Sequence, residues 1–131
     1  MIGLDTNVLV RYIMQDDPKQ SPKATRLVEA LTPDQPGFVA LVSVAELVWV
    51  LSSAYNLGRG QIAQALDALL RSKQLIVDQA EHVQRALRAF GQGTADFADC
   101  LIERTAHAAG CETTMTFDIK ASKTAGMTLV Q

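Results

Sequence analysis

The sequence predicts an α/β fold, with a central parallel sheet of four to five strands covered by helices on both faces. Two observations carry that expectation. Short continuous apolar runs alternate along the chain with longer amphipathic segments, and strands buried on both faces of a parallel sheet read as such runs. Acidic residues stand where several of the runs end, and in an open parallel sheet ligands bind outside the carboxyl ends of the strands. A length of 131 residues with a 48% hydrophobic composition suits one globular domain over 1–131.

The elements follow in order. Residues 2–5 form a short apolar run ending in Asp5, and Val8 to Met14 have a helical distribution, so the chain opens as strand, tight turn, helix. Ser21 as N-cap and Pro22 at the first helical position start a second helix striped with Ala24, Leu27, Val28 and Leu31, before Pro33 and Pro36. Phe38 to Val42 reads as a buried strand leading into Ser43-Val44-Ala45-Glu46. The helix after it is apolar nearly all round through Leu51 and is expected to be central. Gln61 to Leu70 is a further amphipathic helix, Leu75 to Val77 a strand and Ala80 to Phe90 a helix. Gly91 to Gly93 breaks the pattern, and Ala95 opens a helix that Gly110 stops. Thr113 to Phe117 is a strand ending at Asp118, and the apolar stretch Met127 to Val130 closes the chain. Alternation of this kind implies right-handed crossovers.

Composition removes several classes. A charged fraction of 20% without a like-charge run gives no support to a disordered arm. The start Met-Ile-Gly-Leu-Asp, with Arg11 soon after, lacks the basic and apolar regions of a signal peptide. No apolar stretch approaches the roughly 20 residues that span a bilayer, so a soluble, cytoplasmic protein without a membrane partner is expected. Cys100 and Cys111 have neither the number nor the spacing of a disulfide framework or zinc knuckle and read as buried thiols. Walker loop, nucleophile elbow and HExxH signatures are missing, and Gly91-x-Gly93 lacks the rest of a dinucleotide fingerprint.

Asp5, Glu46 and Asp118 each follow a strand, and Asp96 and Asp99 share a helix face at i and i+3. Each has a plain structural reading. Ser43-x-x-Glu46 matches a capping box, Asp5 and Asp118 suit N-caps or turns, and Asp96 suits a helix dipole. Taken together they read differently. Several ionised carboxylates within a few ångströms repel one another unless a cation intervenes. Carboxylates without His or Cys are hard ligands suited to Mg²⁺ or Mn²⁺, and such ions activate water for attack on phosphates.

Asp5-Thr6-Asn7 after the first strand, Glu46 in an apolar helix, Ala95-Asp96-Phe97-Ala98-Asp99-Cys100-Leu101-Ile102 and Thr116-Phe117-Asp118 together resemble the PIN-domain family. The length and layout are similar to those of its VapC-type toxins. The resemblance covers essentially the whole chain. It implies a PIN-like fold and a Mg²⁺- or Mn²⁺-dependent endoribonuclease that is a homodimer restrained by a small VapB-type antitoxin. It maps the family's acids to Asp5, Glu46, Asp99 and Asp118, with Asp96 as an extra metal-binding acid and Asn7 and Thr116 in supporting roles.

The net charge of −2 argues against a polyanionic substrate. Setting aside those five of the fourteen acids leaves nine against twelve basic residues, a remainder of +3 that suits RNA. Arg11, Lys120 and Lys123 lie near the acids in sequence and are the candidates for holding the RNA backbone, with ordinary solvated charges as the plain reading. Trp49 and Tyr55, at helical spacing in an apolar segment, read as core rather than base-stacking residues, and His82 and His107 as surface or packing residues. The apolar surface expected of Gln61–Leu70 and Ala80–Phe90 adds to the case for a dimer. The alternative function is a non-catalytic PIN-like module that binds RNA or protein; a phosphohydrolase acting on small esters is a third reading.

Overall fold

The computed structural model describes residues 1–131 and divides into two compact units, Met1–Asp78 and Gln79–Gln131.

The first unit opens on strand β1 (Ile2–Gly3), which passes through Leu4 and Asp5 into helix α1 (Thr6–Met14). Helix α2 (Gln20–Glu29) packs on α1 and leads to strand β2 (Gly37–Val39). Helix α3 (Leu41–Ser53) packs on α1, helix α4 (Arg59–Arg71) packs on strand β3 (Leu75–Val77), and β3 closes the unit. The strands lie in the order β1-β2-β3, all parallel, with Gly3 opposite Phe38 and Val39 opposite Val77. A helical crossover between each pair of neighbours is what parallel pairing requires. Gly37 sits at the middle of this sheet because a Cβ there would come within 2.9 Å of the Leu31 and Leu4 side chains. Leu9, Val39, Val44, Leu47, Leu51 and Leu66 are fully buried and form its core.

The second unit holds helix α5 (Ala80–Gln92), helix α6 (Phe97–Ala108), strand β4 (Met115–Thr116), helix α7 (Ile119–Thr124) and strand β5 (Thr128–Leu129). Helices α5 and α6 pack through Val83, Ala86, Phe90, Phe97 and Cys100. The Phe90 and Phe97 rings meet edge to face, 5.8 Å apart, the geometry that their quadrupoles favour. β4 and β5 pair in parallel, Met115 opposite Thr128, and Gly126 turns the chain into β5 at φ 77°, a conformation that costs glycine little.

The α/β class and the parallel pairing are as expected, but the strands form a three-stranded and a separate two-stranded ladder rather than one sheet of four or five. Strands of two residues provide little ladder, and β4 spends its hydrogen bonds on β5: Thr128 N–H donates to the Thr114 carbonyl and Val130 N–H to that of Thr116. Ser21 is not an N-cap. Helix α2 starts at Gln20, where Asp17 Oδ1 accepts the Lys19 and Gln20 N–H groups, and Ser21 instead donates its hydroxyl to the Arg11 carbonyl. Helix α3 is not buried all round: Val42 and Trp49, seven residues apart on one face, are 66% and 68% exposed, which corrects the core assignment of Trp49. Tyr55 is half-buried, with its hydroxyl accepting from Arg11. Cys100 is buried as expected, whereas Cys111 is exposed just after the turn at Gly110. No helix is long and apolar enough to cross a membrane.

Candidate active site

Each unit carries its own carboxylates. In the first, the Leu4 N–H donates to the Phe38 carbonyl at 2.9 Å, extending the β1–β2 pairing up to Asp5. Asp5 then N-caps α1, its Oδ1 accepting the Thr6 N–H at 2.8 Å. Thr6 is buried, and its hydroxyl donates to Glu46 Oε1 at 2.9 Å. Glu46 lies on the second turn of the helix that follows β2. Asp5 and Glu46 therefore both issue from the carboxyl edge of neighbouring parallel strands, the edge at which such sheets bind ligands.

The capping-box reading of Ser43 and Glu46 does not hold, because α3 begins at Leu41 with Ala40 as its N-cap. The Glu46 carboxylate is instead oriented by Thr6, forty residues away in sequence. Thr6 was not among the expected supporting residues. The available signal was a hydroxyl at the first helical position directly after Asp5. Asp78 follows β3 and donates its N–H to the Val39 carbonyl, so the rule that selected Asp5 also nominates it, two strand spacings or about 10 Å away.

Asn7 is exposed on α1 and lines a cleft of about 270 Å³ with Val8, Arg11, Gln20, Lys23 and Leu27. Arg11 donates from Nε to Gln20 Oε1 at 2.8 Å and from a terminal nitrogen to the Tyr55 hydroxyl at 3.3 Å, with Asp16 at 3.7 Å. Much of its hydrogen-bonding capacity is spent within the chain.

In the second unit Asp96 N-caps α6, Oδ1 accepting from Ala98 N–H at 2.8 Å and Asp99 N–H at 3.3 Å. Asp118 does the same for α7 with the N–H groups of Lys120 at 2.8 Å and Ala121 at 3.2 Å. Its own N–H donates to Thr116 Oγ1 at 3.0 Å, so Thr116 fixes the approach to this cap. Asp99, in the first turn of α6, is half-buried. Burial pushes its carboxyl above the usual carboxylate range, the charges of Asp96 and Asp118 push the same way, and Lys120 opposes them. Asp96, Asp99 and Asp118 are thus electrostatically linked, with Lys120 as the nearby cation; Lys123 is exposed in the last turn of α7.

The cap readings of Asp5 and Asp118 are correct, and Asp96, read as a helix-dipole acid, is a cap as well; each cap uses Oδ1 and leaves Oδ2 without a protein donor. A hard divalent cation fits such donors. It also fits Asp99, whose ionised form burial and like charges disfavour and a cation would favour. The structure gathers no group of three or more His, Cys, Asp or Glu side chains that could hold a metal ion.

No curated protein matches the chain. Among solved structures, the VapC20 toxin of Mycobacterium tuberculosis, described as a sarcin-ricin loop cleaving toxin, matches with 19% identity and a TM-score of 0.46 over 100% of this chain and 99% of that one. The PIN domain profile matches residues 2–127. Nearly the full length being matched, the chain belongs to the PIN-domain family.

Proposed function

We propose that the protein is a Mg²⁺- or Mn²⁺-dependent endoribonuclease, the toxin of a VapBC-type pair, which hydrolyses RNA phosphodiester bonds with water as the nucleophile. PIN-domain nucleases generally use a divalent metal. The observation that carries the reading is Asp99: a half-buried carboxyl beside Asp96 and Asp118, in a family whose nucleases need a cation among acids.

The residues proposed to carry the reaction are Asp5, Glu46, Asp99 and Asp118, with Asp96 as a further metal-binding acid. A divalent ion held by such acids supplies Lewis acidity, lowering the pKa of a bound water and neutralising charge on the phosphate. The chain supplies orientation. Thr6 occupies Glu46 Oε1 and leaves Oε2 available, while the helix caps restrain the Asp5, Asp96 and Asp118 carboxylates. Lys120 offsets the negative charge around Asp99, and with Lys123 and Arg11 it is assigned to the RNA backbone. Asn7 and Thr116 support the neighbouring acids.

A VapB-type antitoxin, a homodimeric state and a cytoplasmic location complete the proposal. The exposed apolar side chains of Val42 and Trp49 on α3 of the first unit and, separately, of Phe117 in the second, 83% exposed, support partner-covered surfaces. The deciding experiment is cleavage of RNA with Mg²⁺ or Mn²⁺ by Asp5→Asn and Asp99→Asn. Both variants should fold and fail to cut; wild-type rates in both would overturn the assignment. The non-catalytic reading draws on the lack of a gathered three-acid group, and calorimetry showing no Mg²⁺ or Mn²⁺ binding by the folded protein would favour it.

A further inference from the structure

Three arginines converge on one surface cleft of the second unit, away from any residue assigned to the reaction. Arg85, Arg88, Ala89 and Gln92 of α5 and Arg104 of α6 line it, with a volume of roughly 310 Å³. Arg85 and Arg88, at i and i+3, stand on the same exposed face of α5. Neither has an ion-pair or hydrogen-bond partner, although the chain carries fourteen acids. Arg104 is held differently: Glu103 accepts from its Nε and from one terminal nitrogen at 2.7 Å. That leaves three of the five guanidinium N–H groups uncommitted. The neutralised Arg104 and the two unpaired arginines give the cleft a net charge of about +2.

Arg85 and Arg88 are brought together here on one helix face without a counter-ion in the chain, so an anion entering the cleft relieves their repulsion, while Arg104, held by Glu103, offers a donor already fixed in place. Planar guanidinium forks match phosphate and carboxylate oxygens bidentately. The lining decides between them. It has no large apolar side chain, so an acidic peptide would find nothing in which to bury its own apolar groups, whereas a phosphodiester needs only donors and charge. Arg104 lies five residues beyond Asp99 on α6, about 7.5 Å along the axis and some 140° around it, so the cleft opens on another side of that helix.

We propose that the Arg85–Arg88–Arg104 cleft is an RNA phosphate-binding exosite that anchors substrate backbone beyond the scissile bond. The proposal rests on the ribonuclease reading and is tested apart from it. Equilibrium binding of a long single-stranded RNA is measured in EDTA across a salt series, and cleavage of the same RNA and of a trinucleotide is measured with Mg²⁺ or Mn²⁺. Single-strand binding loses about 0.7 logarithmic units per phosphate contact for each tenfold rise in salt. Arg85→Gln/Arg88→Gln should therefore make the salt slope shallower by about 1.4, roughly a 25-fold smaller loss of affinity over a tenfold salt increase. It should raise KM for long RNA and leave kcat and trinucleotide cleavage unchanged. Arg85→Lys/Arg88→Lys retains the charge and should retain the slope, which separates phosphate contact from altered packing. An unchanged slope with active enzyme overturns the exosite and leaves the nuclease intact. The expected slope change in a protein that binds but never cuts RNA supports the exosite and overturns the nuclease. Loss of polyglutamate binding with RNA binding unaltered overturns the RNA assignment in favour of an acidic protein partner.

Discussion

The two units solve the same electrostatic problem in opposite ways. In Met1–Asp78 Glu46 and Arg11 find partners within the unit: Glu46 takes the buried Thr6 hydroxyl, and Arg11 is shared among Gln20, Tyr55 and Asp16. In Gln79–Gln131 charge is left uncompensated on both signs, with Asp99 beside Asp96 and Asp118 and with Arg85 and Arg88 unpaired. A satisfied network orients side chains, and an unsatisfied one stores unfavourable energy that a charged ligand releases. The first unit thus holds these polar groups in place from within, while the second leaves charge for a ligand to meet.

The sharpest way to break that contrast is Asp99→Asn against wild type. Cleavage should fall by about 10³-fold or more, the several kcal/mol associated with a catalytic metal. Stability should move the other way. The folded pKa of Asp99 is raised, so the folded state holds the proton more tightly than the unfolded chain. Its contribution is most favourable at low pH and is lost as pH rises through the folded value. Metal-free Asp99→Asn should therefore melt above wild type at neutral pH, with the difference vanishing below the ordinary carboxylate range. Mg²⁺ or Mn²⁺ should raise the melting temperature of wild type by binding the native state and do so less for the variant. A variant less stable than wild type at neutral pH, once metal is removed, would erase the contrast.

Thr6→Val probes the satisfied side. It preserves shape and removes the only side-chain donor to Glu46. Activity should fall by about 10- to 100-fold, as for other groups that orient metal ligands. Stability should fall by about 1 kcal/mol, read by urea denaturation. A gain in stability would mean that Glu46 is strained rather than positioned.

The smallest effect is expected at Trp49. With 68% of its surface exposed, Trp49→Ala should change monomer stability by no more than about 0.5 kcal/mol. Sedimentation across a concentration series should show weakened self-association if α3 contributes to a dimer. A loss of several kcal/mol in the monomer would return Trp49 to the core.

Periodicity made most elements legible. Leu75–Val77 is a strand with the expected limits, and α4 and α5 extend their expected ranges by one or two residues at their ends, because local apolar spacing and caps suffice there. Helix α7 was not legible: six residues carry less than two full turns of pattern, and its only strong signal is the cap at Asp118. Trp49 was misread for a deeper reason. An apolar helix shows that it has much surface to bury, but which face stays uncovered depends on what the rest of the chain brings against it.

By itself, the sequence determined the α/β class, the acids at strand ends and helix starts, and family membership, because spacing and residue type are local properties. Only tertiary structure decided that Glu46 answers to Thr6 rather than Ser43, and that β4 pairs with β5. It also decided that Arg85, Arg88 and Arg104 share a cleft. Those outcomes depend on contacts between residues distant along the chain, and a charge is satisfied or left wanting only by what folding places beside it.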